Sequence, residues 1–304
     1  MATAIEQKHA VKTAGWGGHS MSAPLRRVIV RQPATPENDS QWRDFAYEHP
    51  VDVAGTAAEH AALRQLLADA GVEVIAAGPD PDGLLDAMFA YDSSIMSDNG
   101  AIILRSGKDL RLPEADVATQ TYEELGIPIA GRITAPGTVD GGDTLWIDPR
   151  TLAVGRSYRT NDEGIAQLRA ILEPQGVQVL TVDLPHWRGA GECLHLMSFI
   201  SPVAEKLAVV HLPMMPVPFV RELLARGWEF IEIPEEEFLT HGCNVLALAP
   251  RKVLVCDGSP ITRSRLEAAS CEVLVYQGDE LSHNRAGGPT CLTRPILRDM
   301  DGVA

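Results

Sequence analysis

A short unit that recurs five times constrains this chain more than any other feature. In each copy a helical stretch runs to a small residue and a β-rich run follows at once: AGVEVI (70–75), LGIPIA (125–130), QGVQVL (175–180), RGWEFI (226–231) and, around Ser270, ASCEVL. The spacing of roughly 43 to 55 residues falls in the range of repeat architectures, where each unit covers the apolar face of the next. Before most copies stands another apolar run that ends in a polar or Gly-containing turn: AIILRSG from Ala101, TLAVGRS from Thr151, KLAVVHLP from Lys206 and KVLVCDGSP from Lys252. Apolar residues at helical spacing follow over 161–172, and a second such stretch begins at 218–224. Each unit therefore reads strand, helix, strand.

A doubly wound open sheet also alternates strands with helices. This chain has no GxGxxG after its first strand and no P-loop, and its GG pairs begin at Gly17, Gly141 and Gly287. A closed ring of five units accounts better for the recurrence and would draw strand ends into one central cleft. No Gly/Ser/Pro-rich linker or block of like charge divides the 304 residues. The expectation is one catalytic domain over 23–304, preceded by an N-terminal extension over 1–22 with the character of a flexible segment.

The net charge of −15 argues against a nucleic-acid partner, because such surfaces depend on clustered Lys and Arg. Acidity favours cationic ligands, although it also serves solubility alone. No apolar run approaches the roughly 20 residues that span a bilayer, and the first 20 residues lack the apolar core of a signal peptide, so no membrane partner and a cytoplasmic location are expected. Five scattered cysteines fit a reducing compartment.

Polar clusters stand at predicted strand ends. Cys291 follows Gly287, Gly288 and Pro289, a loop that permits close backbone approach, whereas Cys256 and Cys271 lie inside apolar runs. Cys291 is the candidate exposed thiol, against the plain alternative of a core cysteine. His195, in LHLMSF, reads either as a satisfied core histidine or as an acid/base. The spacing Cys193-x-His195 is too tight for zinc, and no CxxC or HxxxH supports a metal, so none is expected. Asp140 and Asp143 flank two glycines before TLWI; they make a turn or, with Asp86 and Asp92 of LLDAMFAYDSS, offer carboxylates to a cation.

In order along the chain, LLDAMFAYD, DGGDTLW followed by GRSYRTN, CLHLMSF, GCNVLAL and GGPTCLT resemble the dimethylarginine dimethylaminohydrolase family, within the guanidine-modifying superfamily of arginine deiminases and amidinotransferases. The likeness runs from about Val28 to Cys291. It implies a five-bladed α/β propeller, the pentein fold, with pseudo-fivefold symmetry around a central cleft. It further implies Cys291 as nucleophile and His195 as general acid/base, with Asp92 and Asp140 holding the guanidinium. By the same match Asp86 lies near the substrate amino end, and Arg111 and Arg159 grip the substrate carboxylate. Two positions depart from the pattern: Tyr91 stands where dimethylarginine hydrolases carry a glutamate, and Met197 where deiminases and amidinotransferases carry an aspartate.

The implied reaction is hydrolysis of a C–N bond of arginine or an N-substituted arginine through a Cys291 thiouronium, giving citrulline and an amine with no cofactor. A guanidinium is a poor electrophile until carboxylates hold it, and a thiol with a pKa near 8.5 is only a few per cent ionised at neutral pH. Deimination or dihydrolysis of arginine and amidino transfer share the covalent step; a non-catalytic binder of cationic amino acids is the reading of another class. The apolar PMMPVPF around Met214 offers a surface for a homodimer.

Overall fold

The structure, a computed structural model, describes residues 15–192 and 194–301. It begins with β1 (Leu25–Arg31), the short α1 (Gln41–Asp44), α2 (Val53–Asp69) and β2 (Glu73–Ala77). Three full units follow: β3 (Ser94–Ser97), β4 (Gly100–Ile103), α3 (Glu114–Glu124) and β5 (Ile129–Arg132); β6 (Thr144–Asp148), β7 (Thr151–Arg156), α4 (Asp162–Leu172) and β8 (Gln178–Asp183); β9 (Ile200–Ala204), β10 (Leu207–Val210), α5 (Val217–Ala225) and β11 (Glu229–Glu232). The chain ends with β12 (Leu246–Ala249), β13 (Lys252–Cys256), α6 (Pro260–Ala268), β14 (Glu272–Tyr276) and β15 (Arg294–Arg298).

These strands form five three-stranded sheets. In each, a leading strand runs antiparallel to a middle strand, and the middle strand pairs in parallel with a third that returns after the helix. The first sheet takes its leading strand, β15, from the far end of the chain, so the two ends close the ring in one blade. The architecture is the five-bladed α/β propeller. Apolar side chains tie neighbouring blades together, as where Val203 and Val209 meet Val245, Val253 and Val255 in one buried cluster.

The recurrent sequence unit has a backbone cause. Gly71, Gly126, Gly176 and Gly227 carry φ of 87°, 67°, 80° and 80°, and Ser270 takes the same left-handed turn at 61°. In every case the N–H of the next residue bonds five positions back: Val72 to Leu67, Ile127 to Tyr122, Val177 to Leu172, Trp228 to Leu223 and Cys271 to Leu266. Both residues of each pair are buried. This is the Schellman stop, in which a left-handed residue ends the helix and an apolar contact seals it. A small residue followed by an apolar one is what the stop requires.

The leading strands are the difference from the strand–helix–strand reading. Four of them, β3, β6, β9 and β12, are four or five residues long and buried almost throughout, as over Ser94–Ser97 with only Asp98 and Asn99 before β4, so no alternation marks them off from the middle strand. Of the expected N-terminal extension, residues 1–14 lie outside the described residues. Gly17 lies along β15: its N–H donates to the Ile296 carbonyl at 2.8 Å and its carbonyl accepts from Arg298 N–H at 3.0 Å. No helix among the described residues is long and apolar enough to cross a membrane.

Candidate active site

The turn just before each leading strand faces the same end of the propeller, and each delivers one polar side chain. Asp92 precedes β3, Asp140 precedes β6, His195 precedes β9, Asn244 precedes β12 and Cys291 precedes β15. Each turn is bonded to its neighbour. Tyr91 N–H donates to the Cys291 carbonyl at 3.1 Å, and Gly141 N–H to the Asp92 carbonyl at 3.0 Å. Leu196 N–H donates to Asp143 Oδ1 at 3.0 Å, and Ser201 Oγ to the Cys243 carbonyl at 2.6 Å. Asn244 closes the circle, giving Nδ2–H to Cys291 Sγ at 3.1 Å while its Oδ1 accepts from Thr290 N–H at 3.1 Å. Five loops that would wander singly are thereby fixed as one constellation.

His195 stands between the two carboxylates: Nε2 is 3.2 Å from Asp140 Oδ2 and Nδ1 4.0 Å from Asp92 Oδ1. The approach is possible because Gly142 lacks a side chain, since a Cβ there would lie 2.3 Å from His195 Nδ1. Gly142 N–H donates to Asp92 Oδ1 at 2.8 Å, and Gly107 N–H to Asp140 Oδ1 at 3.0 Å. Burial would raise Asp140, but the hydrogen bond and charge of His195, with Arg111 and Arg159, hold it well below the usual carboxylate range. Asp143 differs. Its burial pushes it up to about 6 against the pull of His195, Ser157 and Thr160, and it accepts from both hydroxyls, at 2.6 and 2.7 Å. Asp143 thus pins the loop that carries His195 to the loop that carries Arg159.

Arg111 is buried and committed to neighbours: NH1 donates to Asp92 Oδ2 at 2.6 Å, and Nε and NH2 fork onto Glu114 at 2.7 and 2.8 Å. It supplies the counter-charge that two buried carboxylates need. Arg159 lies 3.8 Å from Asp140. Asp86 is wholly buried between Lys108 Nζ at 2.9 Å and the Arg285 fork at 3.1 and 3.2 Å. Burial works to raise Asp86, yet Arg285, Arg111 and Lys108 lower it to about 2. Burial lifts Glu114 to about 7, with Arg111 opposing.

All seven residues expected from the sequence therefore cluster, but Arg111 and Asp86 are engaged with charges of the chain itself. Sequence reasoning assigned no role to Asn244, Glu114, Lys108 or Arg285. Asn244 had a usable signal, since it occupies in its unit the place that Asp92 and Cys291 occupy in theirs. Cys193 lies outside the described residues. Burial raises three other thiols, Cys256 to about 12 and Cys243 and Cys271 as well, so none of them is poised as a free nucleophile at neutral pH. Cys291 is part-exposed and lines a pocket with Tyr91, Trp187, Met197 and Phe238.

A family model described as N,N dimethylarginine dimethylhydrolase, eukaryotic, matches residues 26–298. The chain belongs to this family. As a dimethylarginine hydrolase family member it is a guanidine-modifying enzyme, a hydrolase of carbon–nitrogen bonds. It is 29% identical over 270 residues to the N(G),N(G)-dimethylarginine dimethylaminohydrolase of Streptomyces coelicolor, covering 89% of this chain and 96% of that one. The solved structure of the Pseudomonas aeruginosa enzyme, a Cys-to-Ser mutant complexed with citrulline, superposes with a TM-score of 0.74 at 26% identity, over 91% of this chain and all of that one. An amidinotransferase from Microseira wollei shares the fold at 17% identity, with a TM-score of 0.75 over 93% of this chain and 97% of its own.

Proposed function

We infer that this enzyme hydrolyses an N-alkylated arginine through a covalent thiouronium on Cys291. The observation that carries the reading is the meeting, at one end of the propeller, of a part-exposed thiol, an imidazole and two buried carboxylates, each from a different blade. Asp92 and Asp140 hold the substrate guanidinium through its N–H groups, with its carbon set against Sγ at near-attack distance, roughly 3 to 3.5 Å. The cation and the Asn244 amide both favour negative charge on sulfur. Sγ adds to the guanidinium carbon, and His195 gives its proton to the departing alkylamine as the C–N bond breaks. Neutral His195 then takes a proton from water; hydroxide adds to the thiouronium carbon and the C–S bond breaks, leaving citrulline. Arg159 serves the amino-acid end of the substrate, and Arg111 and Asp86, which the family match places at that end, reach it only by giving up a present partner: Asp92 or Glu114 for Arg111, Lys108 or Arg285 for Asp86.

The surroundings of Cys291 favour an alkylated nitrogen over a bare one. Tyr91 and Met197, which replace acidic residues of relatives, line the pocket with Trp187, Leu194, Phe238 and Leu239. An apolar wall leaves the N–H groups of an unsubstituted guanidine unpaired, whereas it covers methyl or larger groups. The test is mass spectrometry of protein quenched in acid during turnover of monomethylarginine and dimethylarginine. A thiouronium adduct that retains the amino-acid chain, on the peptide containing Cys291 and absent from Cys291→Ser, is expected. Turnover with no adduct under single-turnover conditions would contradict the covalent path.

A further inference from the structure

Beyond the substrate cleft, a second group of ligating side chains converges. Cys256 ends β13, Asp257 follows it, and His283 ends a π-helical turn over Asp279–His283. The Cys256 Sγ lies 3.4 Å from Asp257 Oδ1 and 3.5 Å from His283 Nε2, and Nε2 lies 3.3 Å from Oδ1. Among the described residues, the other set of three such groups is Asp92, Asp140 and His195 of the cleft.

Two features separate this triangle from a hydrogen-bonded relay. In a Cys–His–carboxylate relay the thiol and the carboxylate address opposite ring nitrogens, so that a proton passes through the imidazole. Here one nitrogen, Nε2, faces both, and three donor atoms surround a common point. The edges also match a metal polyhedron. Zinc bonds of about 2.3 Å to sulfur and about 2.0–2.2 Å to nitrogen and oxygen give tetrahedral edges of about 3.5–3.7 Å to sulfur and about 3.3–3.5 Å between nitrogen and oxygen, within about 0.2 Å of the spacing here.

Gly278 lets the sulfur lie against the turn that carries His283, since a Cβ there would come within 2.7 Å of Cys256 Sγ. The sulfur is buried, but the Asp257 and His283 side chains are 26% and 27% exposed, so an ion has a path in and a water can complete the tetrahedron. Around the triangle, Gly278 N–H donates to Asp257 Oδ1 at 3.3 Å, and the His283 ring stacks on His241 at 5.4 Å between centroids.

We propose that Cys256, Asp257 and His283 form a tetrahedral site for a thiophilic divalent cation of the zinc class, with water as fourth ligand. Binding sends the thiol proton of Cys256 to solvent and leaves a thiolate on the metal. The ion would clip the end of β13 to the segment that leads into Gly287–Cys291. Motif searches miss this site because two ligands are adjacent in sequence and the third is 26 positions on.

The experiment is Co(II) titration of the full chain in a Cys291→Ser background, which removes the cleft thiol from the readout. Expected are near-ultraviolet thiolate-to-cobalt charge transfer and visible bands of a tetrahedral ion, saturating at one equivalent and erased by Zn(II). Adding Cys256→Ser should abolish the charge transfer. Asp257→Asn, a change at a part-exposed position that keeps side-chain shape, should weaken Co(II) by at least about tenfold, the least that losing even an outer partner of a ligand costs. Absence of the charge-transfer band in the Cys291→Ser protein, its survival without Cys256, or unchanged affinity in Asp257→Asn would each overturn the assignment.

Discussion

Two sets of five turns organise this molecule, and they obey different rules. Where each helix gives way to the third strand, the same solution appears five times: a left-handed residue, glycine in four cases and Ser270 in the fifth, then a buried apolar residue. Where each leading strand begins, the five turns carry Asp92, Asp140, His195, Asn244 and Cys291, no two neighbours around the ring doing the same work except the carboxylate pair. The first set answers to backbone geometry, which is identical in every blade. The second, on the function proposed above, answers to one asymmetric substrate, which needs a different group from each direction. Symmetry builds the frame, and departure from symmetry makes the site.

The sharpest way to break that contrast is to put one methyl group into a chemical turn. Gly142→Ala would set its Cβ against His195, whose ring is 6% exposed and has little space to retreat. Activity should fall about 10²-fold, the loss that a displacement of about 1 Å in a positioned group brings. Circular dichroism and the unfolding midpoint should change far less than kcat/KM. An active Gly142→Ala enzyme would mean that His195 need not sit there.

A second test concerns the charges buried at the chemical end. Glu114 is raised from an ordinary 4.5 to about 7, so the folded state holds its proton more tightly than the unfolded chain. Its contribution to stability is then fully present below pH 4.5 and is lost as pH rises through about 7. In urea unfolding, the advantage of wild type over Glu114→Gln should shrink from pH 4.5 to 7 and stay level above. A constant difference across that window would show that Glu114 titrates normally.

Smaller effects belong to the frame. Added Cβ atoms at Gly176 meet nothing within 4 Å, so Gly176→Ala tests backbone alone. It should cost about 1–2 kcal/mol of stability through the left-handed φ, with kcat unchanged. Ser270→Gly should gain about 0.5 kcal/mol, the relief of strain exceeding the added entropy of the unfolded chain. If both substitutions are neutral, the repeat has another cause than the helix stop.

The same division explains what the sequence disclosed. The helix stops are legible because one small residue before one apolar residue is a local demand, repeated often enough to stand out. The short leading strands β3, β6, β9 and β12 are buried almost throughout and merge with their neighbours. Cys291, His195, Asp92 and Asp140 gain meaning only from the order of five motifs, since each alone reads as a core residue or a turn. Glu114, Lys108 and Arg285 look like solvated charges until the fold encloses them around Arg111 and Asp86. The triangle of Cys256, Asp257 and His283 likewise exists only once β13 meets the π turn.

The most direct test of the central claim, that the five unlike turns form one thiol hydrolase site for alkylated arginine, is a ureido-product assay with arginine, monomethylarginine and dimethylarginine. Citrulline is expected from the methylated substrates with higher kcat/KM than from arginine, and Cys291→Ser should lower kcat by at least about 10³-fold. Equal turnover of bare arginine, or activity that survives loss of Cys291, would contradict the account.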